Sequence, residues 1–142
     1  MSRPTKVSAA SLTLLLFLTC ANIFATASES HPWYRNRRGY ASALEEQKKL
    51  GRLTLLYFYT GWCPYCKNFK KKILKSPEVK AGLEPAIKVQ IDVEKEKKLA
   101  KQFRIDGFPR LLVLKPDGTT QSLETQTTGE RFLKENKRLG VL

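Results

Sequence analysis

Cys63 and Cys66 stand two residues apart, with Pro64 and Tyr65 between them, just after an apolar and aromatic run at residues 53–59 (LTLLYFY). Two intervening residues bring the sulfurs within reach of a disulfide at the first turn of a helix. A thiolate there faces unpaired backbone N–H groups and the positive end of the helix, which lowers its pKa into a range of roughly 3.5 to 7.5. Cys63 is therefore the expected nucleophile. Cys66 shares an apolar face with Phe69 and Ile73 and is the expected resolving thiol, less exposed than Cys63. Pro64 is tolerated because the first helical turn has no N–H bond to lose. The alternatives are a fixed disulfide bracing the helix start, or two inert thiols, although a bridge over two residues closes too small a loop to constrain the unfolded chain much. A closed zinc site needs four ligands, and the single histidine, His31, is far from the pair in sequence, so no metal is expected.

The elements that must hold this pair can be read from the spacing of apolar residues. Residues 40–51 form an amphipathic helix, with Tyr40, Leu44 and Leu50 near one face, Glu45, Glu46, Lys48 and Lys49 on the other, and Gly51 as its stop. The continuous run 53–59 is expected to be a central strand covered on both faces. A helix over 63–74 follows, and Ser76-Pro77-Glu78 starts a short new one reaching about Gly82. Residues 87–93 (IKVQIDV) alternate as a strand, and 94–103 return to helical composition with Leu99 and Phe103 four apart. Gly107-Phe108-Pro109 breaks that helix. Residues 110–115 form a strand, Pro116-Asp117-Gly118 a turn, 119–123 an antiparallel return strand, and 129–139 a basic closing helix.

A length of 142 residues suits one domain, and 42% hydrophobic with 27% charged residues excludes collagen-like, low-complexity and wholly disordered classes. Residues 9–27 carry no charge and follow Arg3 and Lys6, which is the layout of a secretory signal peptide. Its apolar heart, residues 12–24, is shorter than the roughly 20 residues needed to span a bilayer. Ala25-Thr26-Ala27 places the cut before Ser28, so residues 1–27 are expected to be a signal, with an uncleaved anchor as the alternative. Cys20 goes with that segment, since Phe17 and Thr19 do not form a lipoprotein signal around it.

Removing residues 1–27 leaves 24 basic against 13 acidic residues, a net charge of +11, and two cysteines. Thiols in an exported chain are read first as a redox pair or a structural staple. Residues 28–39 (SESHPWYRNRRG) lack periodicity and are expected to be a basic linker ahead of a domain at 40–142. Trp33, Tyr34, Arg35, Arg37 and Arg38 suggest a nucleic-acid or membrane patch less well than a short linker, so no specific nucleic acid is expected, and membrane contact only with an uncleaved signal. Lys67, Lys70, Lys71, Lys72 and Lys75 make a solvated face that also raises the positive field near Cys63 and favours acidic partner surfaces.

Trp62-Cys63-Pro64-Tyr65-Cys66-Lys67 after an apolar strand resembles the active-site motif of the thioredoxin family, and Phe103 to Pro109 (FRIDGFP) resembles the segment ending in its cis-proline. The resemblance covers nearly all of residues 40–139, and Ser76-Pro77-Glu78-Val79 is similar to the C-terminal domain of DsbD-type thiol:disulfide interchange proteins. It implies an α/β thioredoxin fold, a single domain whose central mixed β-sheet is flanked by helices. It also implies Cys63 and Cys66 as catalytic residues, with Trp62, Pro64, Tyr65, Phe108 and Pro109 as substrate-binding residues and Pro109 in cis beside the Cys63 sulfur. No cofactor is implied. The expected function is an exported, periplasmic or secreted thiol:disulfide oxidoreductase on the reducing side, exchanging disulfides with protein substrates and a redox partner protein. The alternatives are a disulfide-donating oxidase or isomerase of the same fold, and a basic non-catalytic binding module.

Three departures from the family pattern matter. Tyr57 stands where members commonly carry a buried Asp, which removes that carboxylate. Pro64-Tyr65 is the dipeptide of glutaredoxins, yet Phe108 precedes Pro109 and no Gly-Gly pair follows, so a glutathione site lacks its residues. No histidine lies between the cysteines, unlike strongly oxidising relatives.

Overall fold

Strand β2 (Thr54–Tyr59) has buried residues from Thr54 to Phe58 on both of its faces, and the architecture follows from covering both. The computed structural model describes residues 32–138 and 140, so the expected signal, with Cys20, and His31 lie outside the described residues. In chain order the elements are β1 (Tyr34–Arg35), α1 (Asn36–Leu50), β2, α2 (Pro64–Phe69), a π-helical turn (Lys70–Leu74), α3 (Pro77–Gly82), β3 (Ile87–Asp92), α4 (Lys97–Gln102), β4 (Arg110–Leu114), β5 (Thr120–Leu123) and α5 (Gly129–Arg138). The five strands lie in the order β1-β3-β2-β4-β5. β1, β3 and β2 run parallel, while β4 and β5 are antiparallel to their neighbours, so the sheet is mixed.

Alternation along the strands divides the core into two layers. Leu55, Tyr57, Leu111, Val113 and Leu123 face α2, the π turn, α3 and α5, where they meet Phe69, Ile73, Leu74, Val79, Leu83 and Phe132. Leu56, Phe58, Ile87, Val89, Ile91, Leu112 and Leu114 face α1 and α4, where they meet Ala43 and Leu99.

The other face of β3 carries Lys88, Gln90 and Asp92, and all three are buried instead of solvated. Each is bonded: Lys88 Nζ donates to the Leu83 carbonyl at 3.3 Å, Lys70 Nζ donates to Gln90 Oε1 at 3.2 Å, and Asp92 Oδ1 accepts the Glu94 N–H at 3.1 Å. Burial holds the Lys88 ammonium below the ordinary lysine pKa.

The expected linker at 28–39 needs correction from Tyr34 onward. Tyr34 and Arg35 pair with Val89 and Gln90 at the sheet edge, and α1 begins at Asn36, four residues before the expected start. Two residues are too few to show a period, and the polar sequence NRRG conceals a helix start. Asn36 makes the corner in a left-handed conformation, φ 55°, while its Oδ1 accepts the Asp92 N–H at 3.1 Å. A Cβ on Gly39 would lie 2.9 Å from the Tyr34 backbone, so the absence of a side chain there lets β1 lie against α1.

Two further boundaries differ. The helix expected over 63–74 is α-helical only to Phe69; at its end the Lys75 N–H bonds the Lys70 carbonyl at 3.0 Å, a five-residue span. Within this wider turn the adjacent Ile73 and Leu74 are both buried. The helix expected over 94–103 begins at Lys97, because the Lys95 and Glu96 N–H groups first bond the Asp92 carbonyl in a turn.

Phe132 closes the layer beneath α5 at 2% exposure and meets Phe69 edge-on with ring centroids 6.1 Å apart. Phe132→Ala is expected to remove about 3–5 kcal/mol of unfolding free energy, measured by denaturant titration, whereas the exposed Lys134→Ala changes it by less than about 0.5 kcal/mol.

Candidate active site

The site begins where β2 stops. Beyond Tyr59 the chain turns through Thr60, Gly61 and Trp62, the Cys63 N–H bonds the Thr60 carbonyl at 3.4 Å, and Cys63 takes the N-cap position of α2 with an extended backbone. Pro64 follows as the first helical residue. Cys63 and Cys66 form a disulfide with their Cα atoms 5.3 Å apart. The Cys66 N–H donates to Cys63 Sγ at 3.1 Å, so the capping atom of the helix is a sulfur of the pair itself.

Exposure does not separate the two sulfurs in the oxidised state, since Cys63 is 4% and Cys66 2% exposed. Their bonding does. Cys63 receives the helix N–H, while Cys66 has its carbonyl tied to the Tyr57 hydroxyl, which donates at 3.0 Å from the central strand. Tyr57 is itself buried, stacks on Tyr59 with centroids 5.5 Å apart, and meets Trp33 edge-on. Burial pushes its pKa well above the ordinary tyrosine value, so the hydroxyl stays protonated and keeps donating. The sequence offered Tyr57 only as a missing carboxylate. Its bond to the Cys66 carbonyl depends on a nine-residue return of the chain that no local pattern displays.

Trp62, just before the pair, and Tyr65, between its cysteines, are exposed aromatics, at 65% and 76%. They stand on different sides. Tyr65 lines a groove together with Phe108 and Pro109, whereas Trp62 lies outside that lining and donates from Nε1 to Glu94 Oε1 at 3.2 Å. Pro64 is exposed at the helix start and is likewise outside the groove. The Phe108–Pro109 peptide is cis, and the Pro109 carbonyl accepts the Thr125 hydroxyl at 3.3 Å. Pairing of Phe58 with Arg110 brings this loop to the end of the sheet at which β2 delivers Cys63. Glu94 and Thr125 escaped sequence reasoning, because each reaches the site through one side-chain bond from a loop without a motif. Among the described residues no group of three or more His, Cys, Asp or Glu side chains is placed to hold a metal ion.

A mixed sheet with a dithiol pair at the turn from its central strand into a helix, facing a proline loop, defines the thioredoxin fold. The chain belongs to the thioredoxin-like domain family, whose model matches residues 40–139. The DsbD thiol:disulfide interchange protein of Klebsiella pneumoniae is 34% identical over 83 residues, covering 56% of this chain and 14% of that protein. The protein disulfide isomerase-like 5-2 of rice is 34% identical over 83 residues, covering 54% of this chain and 20% of that one. The chain thus spans a fifth or less of either relative. Among solved structures, a thioredoxin from Thermus thermophilus superposes with a TM-score of 0.64 at 29% identity, covering 79% of this chain and 88% of its own. The oxidised C-terminal domain of Neisseria meningitidis DsbD shares the fold at 23% identity, with a TM-score of 0.63 over 75% of this chain and 98% of its own.

Tyr57→Phe tests the tie to Cys66. Loss of one buried hydrogen bond is expected to cost about 1 kcal/mol in denaturant titration at neutral pH. The folded state holds the Tyr57 proton more tightly than the unfolded chain, so that contribution is present below about pH 10 and lost as pH rises above it. The wild type should therefore lose more stability between about pH 10 and 12 than Tyr57→Phe, while the raised pKa of Tyr59 and the lowered pKa values of Lys70 and Lys88 act in both proteins.

Proposed function

We propose that this chain is an exported thiol:disulfide oxidoreductase that works on the reducing side. The observation that carries the reading is the Cys63–Cys66 pair at the start of α2, with its capping N–H on Cys63 Sγ and an open groove at Tyr65, Phe108 and Pro109 beside it. In the reduced protein the Cys63 thiolate attacks one sulfur of a substrate disulfide, forming a mixed disulfide and releasing one substrate thiolate. Cys66, deprotonated, then attacks Cys63 Sγ and releases the second substrate thiolate. Two electrons have passed to the substrate and the pair is oxidised, as in this structure; a partner dithiol protein restores it by the same steps. Trp62, Pro64, Tyr65, Phe108 and Pro109 form the surface presented to the substrate, with Glu94 holding the Trp62 indole.

The similarity of Ser76-Pro77-Glu78-Val79 to the DsbD type and the lack of a histidine between the cysteines favour the reducing direction, and relatives named thiol:disulfide interchange protein support disulfide exchange as such. Relatives named protein disulfide isomerase favour a second reading, in which the same site donates or rearranges disulfides. Export rests on residues 1–27, and a domain beginning near Tyr34 follows a shorter linker. No helix among the described residues is long and apolar enough to cross a membrane. The net charge of +11 after residue 27 suits partners with acidic surfaces.

Cys63→Ser is expected to abolish reduction of insulin disulfides, and Cys66→Ser to accumulate a mixed disulfide visible by non-reducing electrophoresis. Undiminished turnover by Cys63→Ser excludes the enzyme. The equilibrium potential of the pair is expected nearer about −270 mV than about −120 mV, and the latter value assigns the oxidising role instead. Intact mass of the exported chain is expected to start at Ser28.

A further inference from the structure

The groove at Tyr65, Phe108 and Pro109 is larger than a disulfide needs. It encloses about 990 Å³ and continues away from the cysteines between the π turn, the end of β5 and α5, over a floor that includes Phe69, Ile73 and Leu123. Helical rise places Lys72 about 10 Å along the axis from Tyr65. An extended peptide covers that distance in about three residues.

Five charged side chains line the groove, and most are already engaged. Arg110 is paired with Asp106 at 2.7 Å, and Glu135 with Arg138 at 2.6 Å. The Glu124 carboxylate accepts the Thr125 and Gln126 N–H groups at 3.0 and 2.9 Å. Lys72, on the π turn, and Arg131, on α5, form no ion pair among the described residues, although Arg131 acts on Glu135 through space. Residues 51–77 contain no acid at all, and Lys67, Lys71 and Lys75 are exposed on the same helical arm as Lys72. Lys72 and Arg131 thus line the same groove as the apolar Phe69, Ile73 and Leu123, and neither is in an ion pair among the described residues.

We propose that this groove selects substrate segments carrying an acidic side chain about three or four residues from the cysteine that Cys63 engages, with the carboxylate held between Lys72 and Arg131. The proposal rests on the oxidoreductase reading and adds its substrate class. Exposed ion pairs are individually weak, so the effect expected is selectivity of about three- to tenfold rather than an absolute requirement.

The test uses the full chain, fully reduced beforehand, in single-turnover reduction of three disulfide-linked peptides that differ only in Glu, Gln or Lys at the fourth position from the cysteine. Bis(hydroxyethyl) disulfide serves as a neutral substrate too small to reach Lys72. The second-order rate constants are expected to fall in the order Glu, Gln, Lys by about three- to tenfold at about 50 mM salt, and to converge at about 500 mM. Lys72→Glu with Arg131→Glu reverses the order, and Lys72→Gln with Arg131→Gln flattens it, each peptide rate being taken as a ratio to the same variant's rate on the neutral disulfide. Lys97→Glu with Lys98→Glu on α4 is the control and leaves the order intact. Equal rates on the three peptides, with the neutral disulfide reduced normally, overturn the selectivity and spare the enzyme. A wild type that reduces none of the four substrates overturns both.

Discussion

The hydrogen bond from the Tyr57 hydroxyl to the Cys66 carbonyl joins the central strand to the helix that carries the reactive pair. Almost everything near the site is arranged around that contact. Tyr57 can reach Cys66 because β2 is flanked by β3 and β4 and its face is roofed by Phe69. In turn, α2 is held at a fixed height above the strand, and this sets where its first turn, with Cys63, emerges at the sheet's edge. A carboxylate at position 57 would carry a charge that has to be neutralised or hydrated when the bridge opens. The phenol carries none, so opening the bridge leaves no charge at position 57 to be neutralised or hydrated.

The π turn has a related role. Within it the adjacent Ile73 and Leu74 both join the layer containing Val79, Leu83 and Phe132. It also divides the lysines between environments. Lys70 is drawn inward to Gln90 and lies 5.9 Å from the Tyr59 ring centroid, while Lys72 faces the groove. A run of three lysines that reads as one solvated face therefore splits, with Lys70 drawn inward, Lys71 exposed and Lys72 at the groove.

Much of the fold was legible because its signals are local. The apolar run at 53–59 reads as a doubly covered strand, Ser76-Pro77-Glu78 as a helix start, Pro116-Asp117-Gly118 as a hairpin turn, and each stands where expected. Residues 34 and 35 were hidden because a two-residue edge strand is defined by its partner, Val89 and Gln90, and not by its own pattern. The buried polar face of β3 was hidden for the same reason: IKVQIDV alternates whether its polar side meets water or finds Leu83, Lys70 and Glu94. At the site, the cysteine spacing and the proline motif mark the chemistry. The partners of Trp62 and Cys66, namely Glu94 and Tyr57, become visible only once the sheet order brings distant segments together.

The short first strand has a consequence for how the sheet ends. An exposed strand edge offers unpaired N–H and C=O groups to any extended chain, including a second copy of the same sheet. Here one edge is closed off after two residues by a chain that turns at Asn36 into a helix pressed close by Gly39, with Arg35 on the rim. The opposite edge, β5, is four residues long and, apart from Leu123, built of Thr, Gln and Ser. Edge-to-edge growth therefore has little to start from at either flank of the sheet.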